Sequence, residues 1–222
     1  MFQFMQPAAL SDLVRRASDL GPAAAGLGTD RLLPVASQLR DLLPGYGLRR
    51  GSTVAVAPGA PGTTSLLLAL LAEASRAGSW CAVVGVPALG LLAASELGIA
   101  LDRFAVVPHP GPEWPAVAAT LLDGFDLVVV SVKDIAASVC AQLAARARQR
   151  GSVLVPFGSG WDGAEVTLSV TESRWYGVGE GSRRRITVAA RGRGAAARPR
   201  RGQVWLPGPP VEEETQRLRV VR

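Results

Sequence analysis

From Thr53 to Phe157 the chain alternates short, unbroken apolar runs with longer stretches of helical spacing, and no other feature limits its fold as much. The runs are 53–57 (TVAVA), 80–86 (WCAVVGV), 104–108 (FAVVP), 126–132 (DLVVVSV) and 152–157 (SVLVPF). Between them lie 65–78 (SLLLALLAEASRAG), 89–98 (LGLLAASELG), 114–125 (WPAVAATLLDGF) and 134–151 (DIAASVCAQLAARARQRG). A strand with one wet face alternates apolar and polar residues. Runs that are apolar at every position need cover on both faces, which helices crossing between parallel strands supply. The expected class is therefore α/β, with a mainly parallel central sheet flanked by helices. After Phe157 the rhythm changes: 166–177 (VTLSVTESRWYG), 183–192 (RRRITVAARG) and 201–208 (RGQVWLPG) predict antiparallel strands joined by short turns.

With 222 residues, 48% of them apolar, the chain has material for one core. Residues 8–20 carry Leu10, Leu13, Val14, Ala17 and Leu20 at helical spacing, and a Gly/Ala linker follows. The expected organisation is a helix and linker over 1–31, a core with a basic C-terminal hairpin over 32–210, and a tail over 211–222. No apolar run reaches the ~18–20 residues a bilayer span needs, and the start lacks a signal peptide's basic and apolar regions. A soluble, cytoplasmic protein is expected. Cys81 and Cys140 form no CxxC pair, so neither a disulfide framework nor a zinc site is expected. His109, the sole histidine, sits in the turn PHPGPEW and reads as a solvated loop side chain rather than a general base.

A Gly/Pro loop (PGAPGTTS, 58–65) stands between the first run and its helix, where a phosphate-binding loop belongs. Against the pattern GxxxxGK[ST], Gly62 and Thr64 hold the Gly and Ser/Thr places, with Gly59 inside the loop and Ser65 directly after Thr64. Thr63, however, holds the lysine place, Ala57 replaces the first glycine, and Pro61 removes a backbone donor. The order and spacing of elements from about Leu32 to Ala164 resemble the core of bacterial RecA recombinases. That resemblance implies a water-activating glutamate after the second strand, where Pro87 stands. It also implies a magnesium-holding acid at the end of the 126–132 strand, where Ser131 stands. Asp126, Lys133 and Asp134 remain nearby and read as solvated faces. With Thr63, Pro87 and Ser131 at the three positions, the expectation is a degenerate P-loop protein with no catalytic residue, no metal and no cofactor.

Among shortened RecA-like chains, this one is similar to the actinobacterial ImuA-prime family in size, degraded loop and Arg-rich end. Membership would imply a damage-induced accessory of translesion synthesis that binds ImuB, an inactive Y-family polymerase homologue. An error-prone C-family DNA polymerase and RecA would be further members of the assembly, and no membrane is involved. Two alternatives stand: a SulA-like SOS inhibitor of cell division, and an atypical nucleotide-binding RecA-family ATPase.

The formal charge of +6 is concentrated at the C-terminal end, where 174–222 hold twelve Arg and four Glu. Arg183, Arg184, Arg185, Arg191, Arg193, Arg198, Arg200 and Arg201 are candidates for contact with DNA phosphates or an acidic partner. Trp175, Tyr176 and Trp205 lie among them, placed either to stack bases or to pack on the sheet edge. Leu218 and Val220 in the tail are further partner-binding candidates.

Overall fold

A computed structural model describes residues 31–158, 161–177 and 182–207. The chain enters through a two-residue strand β1 (Leu32–Leu33), a single helical turn α1 (Ser37–Arg40) and β2 (Leu48–Arg49), which pairs antiparallel with β1. Then β3 (Val54–Val56), α2 (Thr63–Arg76), β4 (Cys81–Val84), α3 (Leu91–Glu96) and β5 (Phe104–Val107) alternate. They are followed by α4 (Trp114–Gly124), β6 (Leu127–Val130), α5 (Ala137–Arg150) and β7 (Val153–Pro156). Three longer strands complete the described chain: β8 (Val166–Tyr176), β9 (Arg183–Gly192) and β10 (Arg200–Leu206).

One sheet is wholly parallel in the order β5-β4-β6-β7, and the other is mixed in the order β10-β9-β8-β3. In the mixed sheet β3 and β8 run parallel, whereas β8, β9 and β10 run antiparallel. Parallel bridges Thr53–Leu154 and Val56–Phe157 join β3 to β7, so the two sheets continue one another edge to edge. The protein is thus α/β, parallel through its centre and antiparallel at its C-terminal side.

The unbroken apolar strands are covered on both faces. Leu127 and Val129 of β6 enter the larger core with Leu66, Leu67 and Leu70 of α2, while Val128 and Val130 meet Leu122 of α4 and Leu143 of α5. Two boundaries move from their expected places. Helix α2 begins at Thr63 because Gly62 adopts a left-handed φ of 109° and Leu66 N–H already donates to its carbonyl. Helix α5 begins only at Ala137, since Asp134 has a φ of 53° and Ala136 is extended. His109 is exposed in its loop, and both cysteines are buried free thiols. Burial, followed by the charge of Asp126, pushes the Cys81 thiol up to about 12. Residues 8–20 and the tail with Leu218 and Val220 lie outside the described residues.

The expectation for Asp126 is overturned. This carboxylate is 2% exposed, paired with Arg50 Nη1 at 2.8 Å, and accepts the Trp80 N–H at 2.9 Å. It sits just before β6, between Arg50 in the turn after β2 and Trp80 just before β4, so tertiary contacts and not solvent surround it. Lys133 and Asp134 are exposed, as expected.

A second carboxylate clamps α4 to α5. Arg146 donates to both Asp123 oxygens through Nε and Nη2, and Arg150 Nε donates to Oδ1 at 3.0 Å. The Arg146 hydrogen bond and charge, helped by Arg150, hold the Asp123 carboxyl below its usual range against a smaller opposing effect of burial. A depressed value means that this stabilisation is present above about pH 4 and is lost as pH falls through the folded-state value. Both arginines are partly exposed, so solvent screening leaves about 0.5–1 kcal/mol. Asp123→Asn is expected to lose that amount near pH 7 and progressively less as pH falls through the folded-state value, measured by urea unfolding at about pH 7 and about pH 2. Equal deficits at both would assign the effect to packing instead of charge.

Candidate functional site

Strands β3, β4 and β6 all end on one edge of the sheet, the edge where open α/β proteins hold ligands. The loop after β3 opens onto this edge, but it leans on β8. Ala57 N–H donates to Leu168 O at 2.8 Å and Ala60 N–H to Val170 O at 2.9 Å. Pro58 and Pro61 have no N–H to offer. Four of the eight main-chain positions from Ala57 to Thr64 are therefore lost to any anion cradle. Gly59 is needed for this approach, since a Cβ there would lie 2.4 Å from Val170 O. Thr63 turns its hydroxyl back to Ala60 O at 3.1 Å, capping the loop locally and presenting no positive charge.

Pro87 and Ser131 reach the same edge. Pro87 is exposed in the turn three residues beyond β4, and Ser131 follows β6 directly, its N–H donating to Val84 O at 2.9 Å. Gly85 packs so close to this point that a Cβ would fall 2.1 Å from Ser131 O. Thr63, Pro87 and Ser131 thus share one edge of the fold, and none carries a charge or can take a proton from water near pH 7. Magnesium nucleotide does not fit this set: Ser131 is neutral, and the lysine place is filled by Thr63. Among the described residues no three His, Cys, Asp or Glu side chains cluster as a metal centre requires.

The arginine candidates are dispersed. Arg200 donates from Nη1 to the carbonyls of Asp41 and Leu43, tying β10 to the end of α1, and Arg201 pairs with Glu172 at 2.7 Å. Arg191, Arg193 and Arg198 are exposed at the far end of the hairpin. Arg183, Arg184 and Arg185 follow one another along β9, so the strand's alternation sends Arg184 to one face and its two neighbours to the other. On the outer face the Arg185 guanidinium lies 4.9 Å from the Tyr176 ring and 5.4 Å from Trp205, and these two rings are 5.0 Å apart.

On the inner face Leu206, Arg184 and Trp175 stand side by side across β10, β9 and β8. The Arg184 guanidinium is 4.2 Å from the Trp175 ring centre, and its Nη1 donates to Ser65 Oγ at 3.3 Å in the first turn of α2. Burial holds this guanidinium below its ordinary range. So β9 brings an arginine to the first turn of α2, over 119 residues of sequence. Only the β8–β9 register reveals this, since by sequence alone Arg184 is one of an undivided basic set.

Comparison with known proteins adds the family. A model of the MT3502 N-terminal domain matches residues 41–163, more than half of the chain and the stretch holding the loop, Pro87 and Ser131. The chain belongs to the MT3502 N-terminal domain family. A relative in Mycobacterium tuberculosis, the uncharacterized protein Rv3395c, is 42% identical over 110 residues, 49% of this chain. The match covers 54% of that relative, so the chain spans about half the length of the curated protein it matches. The MT3502 N-terminal domain match ends where the parallel half of the sheet ends, leaving β8 to β10 and their arginines beyond it. Among the described residues no helix is long and apolar enough to cross a membrane.

Proposed function

We propose that this chain is a non-catalytic, RecA-like accessory protein of a damage-induced translesion synthesis complex, docking onto an ImuB-like inactive Y-family polymerase homologue. One observation carries the reading: the three positions where a RecA-like ATPase needs Lys, Glu and Asp hold Thr63, Pro87 and Ser131, gathered on one edge of a parallel sheet. The loop's contacts with β8 support it further, because amides used within the sheet cannot cradle phosphates. A strand, loop and helix opening a parallel α/β sheet support the RecA-like core, and the mycobacterial relative is in keeping with an actinobacterial source. A chain that keeps such a core without its chemistry acts by binding, and ATP is not its cofactor.

The purified protein is expected to release no phosphate from magnesium-ATP above background, with or without single-stranded DNA. Thr63→Lys should not create activity, since it restores neither the acid for water nor the one for metal. An affinity-tagged chain recovered from DNA-damaged cells of its source is expected to bring down an ImuB-like protein, identified by mass spectrometry. Phosphate release abolished by Thr64→Ala, or recovery of the division protein FtsZ in its place, overturns the reading.

A further inference from the structure

Arg184 stands where the inward row of β9 leaves the core. Ile186, Val188 and Ala190 of that row are buried, and Arg184 is the first residue beyond them to meet solvent. No carboxylate among the described residues lies within ion-pair reach of it, and its buried Nε has no hydrogen-bond partner there. Arg49, Arg50, Arg76, Arg146, Arg150 and Arg201 all have carboxylates. A half-buried cation without a counter-ion carries a desolvation cost that an incoming anion would offset.

The space beside it is an open groove of about 620 Å³, bounded by Ser65, Glu96, Leu97, Trp175, Arg184 and Leu206, with Pro207 at its rim. That is the size range of ligand sites, and its walls are mostly apolar. Trp175 is 61% exposed, and Leu92, one turn before Glu96 on α3, is 74% exposed. The charges distinguish among anions. Arg184 and Glu96 both line the groove, so one anionic group can pair with the cation, whereas a run of phosphates would also meet the carboxylate. The groove suits a single carboxylate carried on a largely neutral chain.

We propose that this groove docks a segment of a partner protein in which an acidic side chain adjoins an apolar one. The carboxylate pairs with the Arg184 guanidinium, and the apolar side chain lies against Leu97, Leu206 and Pro207 beside Trp175. The groove asks for this chemistry whether or not the partner is a polymerase homologue.

The test is selection of displayed random peptides on the full chain, followed by fluorescence-polarisation titration of the best resynthesised peptide. Enriched sequences are expected to place Asp or Glu beside Leu, Ile, Val or Phe. Arg184→Met should weaken binding about tenfold or more, while Arg184→Lys, which keeps the charge, should lose only about threefold. Trp175→Leu, at an exposed position, should weaken it several-fold, and serves as the second variant if Arg184→Met fails to fold. Absence of enrichment, or affinity indifferent to Arg184 and Trp175, overturns the proposal. Displacement of the peptide by oligo-dT or magnesium-ATP assigns the cation to phosphate and overturns it too. Binding that emerges only after residues 208–222 are removed gives the groove to the chain's own end and excludes a partner segment as its resident.

Discussion

Replacing Arg50 with methionine is expected to destabilise the protein by about 3–5 kcal/mol, the cost of leaving a buried carboxylate without its partner. Asp126 is 2% exposed, so water cannot take over the role of the guanidinium, and the Trp80 N–H is only one neutral donor. The reverse deletion, Asp126→Ala, should cost less, about 2–3 kcal/mol. Arg50 is 27% exposed, keeps a long contact to Gly151 O at 3.4 Å, and can turn its charge to solvent. At roughly 2–4 °C per kcal/mol for a chain of this size, Arg50→Met should melt about 6–20 °C below wild type. Combining Arg50→Met with Asp126→Leu should recover part of the loss, because an apolar pair carries no desolvation penalty. If Asp126→Ala proves worse than Arg50→Met, the Trp80 hydrogen bond and not the ion pair holds this corner. Calorimetry of the four proteins decides it.

Gly85→Ala is expected to cost about 3–4 kcal/mol, for two separable reasons. At a φ of 79° an L-residue pays about 1–2 kcal/mol for the left-handed conformation. In addition, the new methyl would lie 2.1 Å from Ser131 O, so the ends of β4 and β6 must part, and the Ser131 N–H to Val84 O bond lengthens with them. Gly111→Ala is the control. Its φ is 66° and nothing lies within 4 Å of the added carbon, so only the conformational cost of about 1–2 kcal/mol remains. The difference between the two variants in urea unfolding measures the steric part alone. Equal losses would show that the strand ends part without cost.

Gly85 also holds the carboxyl edge of the sheet together, since its closeness to Ser131 joins the turn carrying Pro87 to the end of β6.

Local information determined much of this protein without a structure. The unbroken runs at 80–86, 126–132 and 152–157 require helices on both faces, because burial on alternate sides of a strand leaves no polar position, and β4, β6 and β7 are parallel and covered in that way. The switch to alternation after Phe157 marked β8, β9 and β10, and the residues at 63, 87 and 131 are facts of composition that no fold could alter. Tertiary structure alone decided which charges meet. Asp126 looks like the polar start of a strand, yet Arg50 and Trp80 enclose it from segments 76 and 46 residues away. The basic C-terminal set looks like one footprint, yet strand alternation sends Arg184 to Ser65 and Arg185 to Tyr176 and Trp205. Periodicity reports only which side of an element faces inward, a property of neighbours a few residues apart. The partner of a charged side chain depends on strand register and on how far a loop leans, and both are fixed by contacts among residues far apart in the chain.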